Sequence, residues 1–121
     1  MAEKIKKILV VEDEKPMAKA LVLKLQHAGY EAQAAFNGEE ALEVLKGGSF
    51  DLVLLDLIMP RMDGFSTLQQ IKENGIKAKV IVTSNLGQEE DFAKAKELGA
   101  VDYFVKSDTS LSEIVDHIKK L

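Results

Sequence analysis

The 121-residue sequence contains no cysteine, which excludes disulfide bonds, thiolate metal sites and a cysteine nucleophile. No apolar run approaches the roughly 18 residues that a membrane-spanning helix needs. Residues 1–7 also lack the apolar core of a secretory signal peptide. We therefore expect a cytoplasmic protein without a membrane span.

The sequence also lacks clusters of Lys and Arg interleaved with aromatic residues. Its 16 basic and 20 acidic residues give a formal charge of -4, so we expect no direct contact with nucleic acid. Phosphate-binding loops of the GxGxxG or GxxxxGK[ST] type are missing too. A composition of 46% hydrophobic and 30% charged residues is typical of a globular protein, and the length predicts one domain over residues 1–121.

The stretch from Leu52 to Pro60 is the most informative. Its apolar run Leu52–Leu55 predicts a strand buried on both faces, as in a parallel sheet, and the run leads directly into Asp56. Pro60 is expected to prevent continuation of the strand, and Asp63-Gly64 predicts a turn. This stretch alone leaves two interpretations open: Asp56 is a functional acid at a ligand-binding sheet edge, or it simply caps a turn.

Strands and helices alternate along the whole chain. Strands are predicted at Ile8–Val11, Glu31–Ala35, Leu52–Leu55, Val80–Val82 and Val101–Val105. Helices are predicted to begin near Glu14, Asn37, Gly64, Glu89 and Ser110. Helical spacing places Met17 and Phe92 on core-facing sides. Five strands alternating with five helices predict an α/β fold with a parallel sheet covered on both faces.

Polar side chains follow four of the predicted strands at the same end. They are Glu12 and Asp13, Asp56, Ser84 and Lys106. Three carboxylates in one crevice repel one another, and a hard divalent cation relieves that conflict. Oxygen ligands without His or Cys favour Mg²⁺. A metal beside a lysine can bind a phosphoryl group, and one carboxylate could act as the nucleophile.

The sequence resembles a response-regulator receiver domain of two-component signalling, over essentially its whole length. The resemblance is carried by Val10–Glu14, by Leu54–Gly64 and by Gly99–Lys106. It implies a flavodoxin-like (βα)5 sandwich, whose five parallel strands have the order 2-1-3-4-5.

The resemblance also implies roles for individual residues. Asp56 would be the phosphoacceptor, and Mg²⁺ would be held by Asp13, Glu12, Asp56 and the backbone carbonyl of Ile58. Ser84 would bond the phosphoryl group (Thr83 is a less favoured candidate), Lys106 would pair with its oxygens, and Tyr103 would swing inward on activation.

The implied partners are a histidine kinase or histidine phosphotransfer protein and a downstream protein effector. The effector would respond to the surface of the fourth helix, fifth strand and fifth helix. The protein would catalyse only its own phosphorylation and dephosphorylation.

Two residues depart from the family pattern. Ser107 follows Lys106, where the family usually has a proline with a cis peptide bond, and Asn85 stands where a smaller residue is more common.

Two other functions compete with that of a phosphorylation switch. An aspartate-nucleophile phosphatase would typically carry Asp where this chain has Ile58, and a phosphorylation-independent binding module would not need the complete set of polar residues. His27 and His117 are interpreted as surface or core-edge residues.

Overall fold

The computed structural model describes residues 5–59 and 62–121. Five strands and five α-helices alternate along them. The strands are β1 (Lys7–Val11), β2 (Glu31–Ala35), β3 (Leu52–Leu55), β4 (Lys79–Ser84) and β5 (Asp102–Val105). The helices are α1 (Lys15–His27), α2 (Gly38–Gly47), α3 (Gly64–Glu73), α4 (Glu89–Glu97) and α5 (Leu111–Lys119). Lys106–Asp108 form an additional short 3₁₀ helix. Pro60, predicted to stop β3, and its neighbour Arg61 lie outside the described residues.

All strand pairs are parallel, and the sheet order is β2-β1-β3-β4-β5. The predicted α/β fold and strand order are therefore confirmed. Side chains alternate between the two faces of each strand. Leu9 and Val53 pack toward one apolar cluster, while Ile8 and Leu52 pack toward the other. This two-sided burial explains the continuous apolar runs in the sequence.

Local signals set several helix ends. The Asn37 side chain accepts the amide N–H of Glu40 at 2.9 Å, and Ser110 accepts that of Glu113 at 3.1 Å. Both helix starts were predicted from these residues. Gly29 has a φ of 98°, which glycine adopts readily, and it follows Ala28, the C-cap of α1.

Two predicted core residues are instead exposed. The buried face of α1 is formed by Ala18, Leu21 and Leu25, so that Met17 is turned away and is 38% exposed. In α4 only Ala95 is buried. Phe92 is 37% exposed, and its ring meets Tyr103 edge-on at 4.6 Å between ring centroids. Both predictions were wrong because helical spacing identifies the buried face, which here includes Leu21, Leu25 and Ala95, but not how far along the helix the burial extends.

Candidate active site

The carboxyl ends of β1, β3, β4 and β5 meet at one edge of the sheet. Val11 pairs with Leu55, and Leu55 in turn pairs with Val82. The last pair between β4 and β5 is Ser84 with Val105. The fold thus brings the predicted polar side chains to one edge, as expected.

Three carboxylates form the centre of this site. Oxygen atoms of Glu12, Asp13 and Asp56 all lie within 4.8 Å of one another. Glu12 is 1% exposed and Asp56 is 5% exposed, whereas Asp13 is half-buried. The Asp56 amide N–H donates to the carbonyl of Val11 at 3.0 Å, which fixes its backbone beside β1. A group of oxygen donors at this spacing fits Mg²⁺, which prefers carboxylate ligands and retains several waters.

Lys106 reaches across the site from the end of β5. Its Nζ contacts Glu12 Oε1 and lies 3.1 Å from Asp56 Oδ2. Burial lowers the pKa of Lys106, but its bond to Glu12 and the charges of Asp56 and Glu12 outweigh that effect, so the pKa lies above its usual value. The pKa of Glu12 lies above its usual value as well, mainly because the side chain is buried. The bond to Lys106 opposes this rise, and the negative charge of Asp56 adds to it. One ammonium group therefore holds two buried acids together.

The loop after Asp56 is packed closely against the start of α3. Ile58 donates its amide N–H to Asp56 Oδ1 at 3.3 Å, while its side chain is 57% exposed. The Gly64 amide N–H donates to the carbonyl of Leu57 at 2.8 Å. A Cβ atom at Gly64 would lie 2.3 Å from the carbonyl oxygen of Asp56. The sequence predicted a turn and a helix start at Gly64, but not its close approach to the backbone of the candidate acceptor.

Ser84 and Tyr103 lie on the same side of the sheet. Ser84 is fully buried, and its Oγ accepts the amide N–H of Leu86 at 3.2 Å. The Tyr103 hydroxyl donates to the carbonyl of Leu86 at 2.6 Å. Burial raises the pKa of Tyr103, a bond with Ser84 opposes the rise, and the charges of Asp91 and Asp56 add to it. Tyr103 is therefore a neutral donor bound to the loop that follows Ser84.

The residues after Ser84 and Lys106 are in direct contact. Asn85 Oδ1 accepts the amide N–H of Ser107 at 3.1 Å. The described residues contain no cis peptide bond, so the Lys106–Ser107 bond is trans.

With this geometry established, comparison with known proteins assigns the family. The family model of the response regulator receiver domain matches residues 8–119. The chain belongs to the response regulator receiver family.

Relatives and solved structures agree with this assignment. The receiver domain is 39% identical over 100 residues to the transcriptional regulatory protein DltR of Streptococcus agalactiae, covering 83% of this chain and 45% of that protein. It resembles the structure of TrrA from Thermotoga maritima in complex with Mg²⁺ and BeF, with a TM-score of 0.84 and 35% identity over 96% of this chain and 98% of TrrA. For the Francisella response regulator 1452 receiver domain, the TM-score is 0.87, with 30% identity over 93% of each chain. The chain thus spans less than half the length of DltR.

One partnership outside the site could not be read from sequence spacing. His117 Nε2 lies 2.5 Å from Asp102 Oδ2, and its ring meets Phe104 edge-on at 5.0 Å between centroids. His117 is half-buried, as a core-edge residue should be, but the fold gives it an acidic partner from β5.

Among the described residues of the receiver domain, no helix is long and apolar enough to cross a membrane.

Proposed function

We propose that this receiver domain accepts a phosphoryl group on Asp56 from the phosphohistidine of a partner kinase or phosphotransfer protein, in a Mg²⁺-dependent reaction. The observation that carries the proposal is the arrangement around Lys106. Its ammonium group joins Glu12 to Asp56, and Asp13 completes a cluster of three carboxylates at the sheet edge. An acid cluster with one cation suits transfer of a phosphoryl group, because the transferred charge needs positive partners.

The acid cluster would hold Mg²⁺ through Glu12, Asp13 and Asp56, and the family resemblance adds the backbone carbonyl of Ile58. Bound Mg²⁺ would supply positive charge that offsets the negative charge of the phosphoryl oxygens. The cluster would use oxygen ligands only, consistent with this ion.

The chemical step would use Lys106, which already contacts Asp56, and Ser84 at the end of the neighbouring strand β4. A carboxylate oxygen of Asp56 attacks phosphorus, the phosphorus–nitrogen bond breaks, and its electron pair leaves with the imidazole of the donor. Lys106 would shift from Asp56 Oδ2 toward the new phosphoryl oxygens, and the hydroxyl of Ser84 would donate to one of them. The protein would act only on itself, promoting its own phosphorylation and later hydrolysis.

Phosphorylation would change the surface formed by α4, β5 and α5. The Tyr103 hydroxyl is bonded to the carbonyl of Leu86, and its ring contacts Phe92 on α4. A shift of Ser84 toward the phosphoryl group would release Leu86 N–H and move this loop. A downstream protein effector would recognise the altered surface.

The wider context follows from the relatives. DltR is named a transcriptional regulatory protein, so a longer regulator containing this segment would control transcription. The receiver domain itself carries no cluster of basic and aromatic residues, and we propose that its own contacts are with proteins in the cytoplasm.

Phosphorylation by a small-molecule phosphodonor tests the proposal without a cognate kinase. With Mg²⁺, intact mass should increase by one phosphoryl group, and Asp56→Asn should abolish the increase. Asp116→Asn changes an exposed acid on α5 and is the matched control, which should be modified as the wild type is. A phosphorylated Asp56→Asn variant would place the acceptor elsewhere. No modification of the wild type would favour the phosphorylation-independent binding module.

A further inference from the structure

The hydrogen bond between Asn85 and Ser107 joins the residue that follows Ser84, the last residue of β4, to the residue that follows Lys106. The ladder between β4 and β5 ends at the pair Ser84 and Val105. Beyond it, Asn85 Oδ1 accepts the amide N–H of Ser107 at 3.1 Å. The side-chain amide nitrogen cannot accept a hydrogen bond, so the donor at Ser107 defines the orientation of the Asn85 amide. This bond therefore extends the connection between the two strands past their last backbone pair.

The turn that carries Lys106 has little other support along the chain. Lys106–Asp108 form a single 3₁₀ turn, and the N–H of Thr109 donates to the carbonyl of Lys106 at a long 3.4 Å. Lys106 nevertheless has to place its ammonium group between Glu12 and Asp56. A hydrogen bond from Ser107 to Asn85, directly after the end of β4, restricts the movement of this turn.

We propose that Asn85 is a positioning residue for Lys106. By accepting the N–H of Ser107, Asn85 holds the turn of Lys106 against the strand end that carries Ser84. It thereby sets the position of the Lys106 ammonium group relative to Asp56. The effect on phosphoryl transfer rests on the function proposed above, whereas the effect on Lys106 itself does not.

One substitution removes this bond and a second keeps it. Asn85→Ala removes the acceptor, whereas Ser107→Ala keeps the backbone N–H that donates to it. Asn85→Ala should slow phosphorylation by the phosphodonor about three-fold and by no more than about ten-fold, the range for one hydrogen bond of ordinary net strength. Ser107→Ala should react at the wild-type rate. Asn74→Ala, which removes an exposed side-chain bond of Asn74 to Gln70 on α3, is the control and should react at the wild-type rate.

A general loss of stability would also slow the reaction, so the test includes Lys106. In a Lys106→Met background, Asn85→Ala should have no further effect on the rate, because there is no ammonium group left to position. A merely structural role of Asn85 would lower the rate in both backgrounds. This outcome would overturn the proposal.

A spectroscopic measurement is independent of phosphorylation. The ¹H–¹⁵N signal of the Lys106 ammonium group, held by two carboxylates, should be observable in the wild type and should broaden or vanish in Asn85→Ala. Ser107→Ala keeps the N–H and should retain the signal. An unchanged Lys106 signal in Asn85→Ala would overturn the proposal. If the wild type accepts no phosphoryl group, the proposed function fails, and the Lys106 signal still decides the role of Asn85.

Discussion

Replacing Lys106 with methionine tests whether this residue stabilises the fold by neutralising two buried acids. Methionine keeps much of the apolar stem but removes the ammonium group. Glu12, which is 1% exposed, and Asp56, which is 5% exposed, would then face each other without a cation. We therefore expect Lys106→Met to be destabilising when no Mg²⁺ is present.

The size of the loss follows from burial. Removing one partner of a buried ion pair typically costs about 3–5 kcal/mol. The Lys106 side chain is 17% exposed, and one of the remaining acids can relieve the repulsion by taking up a proton. We therefore expect a loss of about 2–3 kcal/mol at neutral pH. This is a large share of the roughly 5–15 kcal/mol that stabilises a typical domain.

Urea unfolding in buffer with a chelator measures this loss. The midpoint should fall by about 0.7–3 M, given slopes of about 1–3 kcal/mol per molar urea. Lys19→Met, at an exposed position in the middle of α1, is the matched control and should change the free energy of unfolding by less than about 0.5 kcal/mol.

A double-mutant cycle with Glu12→Gln isolates the interaction energy between Lys106 and Glu12. Once Glu12 is neutral, Lys106→Met should cost at least about 1 kcal/mol less than it does in the wild type. Additive losses, or a loss for Lys106→Met no larger than that of the Lys19 control, would refute the view that Lys106 holds the acids together.

Three further predictions concern the metal, the acceptor loop and the lifetime of the phosphorylated state. Millimolar Mg²⁺ should raise the melting temperature by mass action, and Asp13→Asn should remove most of the rise; equal melting with and without Mg²⁺ would contradict metal binding. Gly64→Ala should cost about 1–3 kcal/mol of unfolding free energy because its Cβ meets backbone at 2.3 Å, whereas Gly47→Ala, with nothing within 4 Å, should be neutral or slightly stabilising. The resemblance to receiver domains implies that the side chains of Ile58 and Leu86 would flank the path of the hydrolytic water, and neither side chain can hydrogen-bond to it. The double substitution Ile58→Asn with Leu86→Glu should therefore shorten the lifetime of the phosphorylated state about ten-fold or more. The effect should stay below the roughly 10²–10⁴-fold contribution of proton-transfer groups. Decay of the phosphorylated wild type within seconds, or an unchanged decay rate in the double variant, would contradict water exclusion.

Local sequence signals determined the elements and many of their ends. The apolar run Leu52–Leu55 was recognisable as a buried strand because only a strand covered on both faces is apolar throughout. Asn37 and Ser110 marked helix starts because a cap depends on residues three positions apart. The candidate acid Asp56 followed from its place at the end of that strand.

The order of the strands came from the resemblance to receiver domains, since alternation of strands and helices does not specify it. Once that order is set, the polar residues at the strand ends necessarily meet at one edge of the sheet. The sequence could therefore predict the composition of the site, but not which side chains bond to one another.

Those bonds depend on contacts between distant parts of the chain. Lys106 and Glu12 are 94 positions apart, and nothing in local spacing shows that Lys106 contacts Glu12 as well as Asp56. The bond of Asn85 to Ser107 likewise arises where the loops after two different strands meet. The close approach of Gly64 to the backbone of Asp56 lies within one loop, but it depends on how closely the start of α3 packs against the end of β3. Periodicity and capping act over a few residues, whereas these contacts are decided only when packing of the whole sheet sets the distances between its loops.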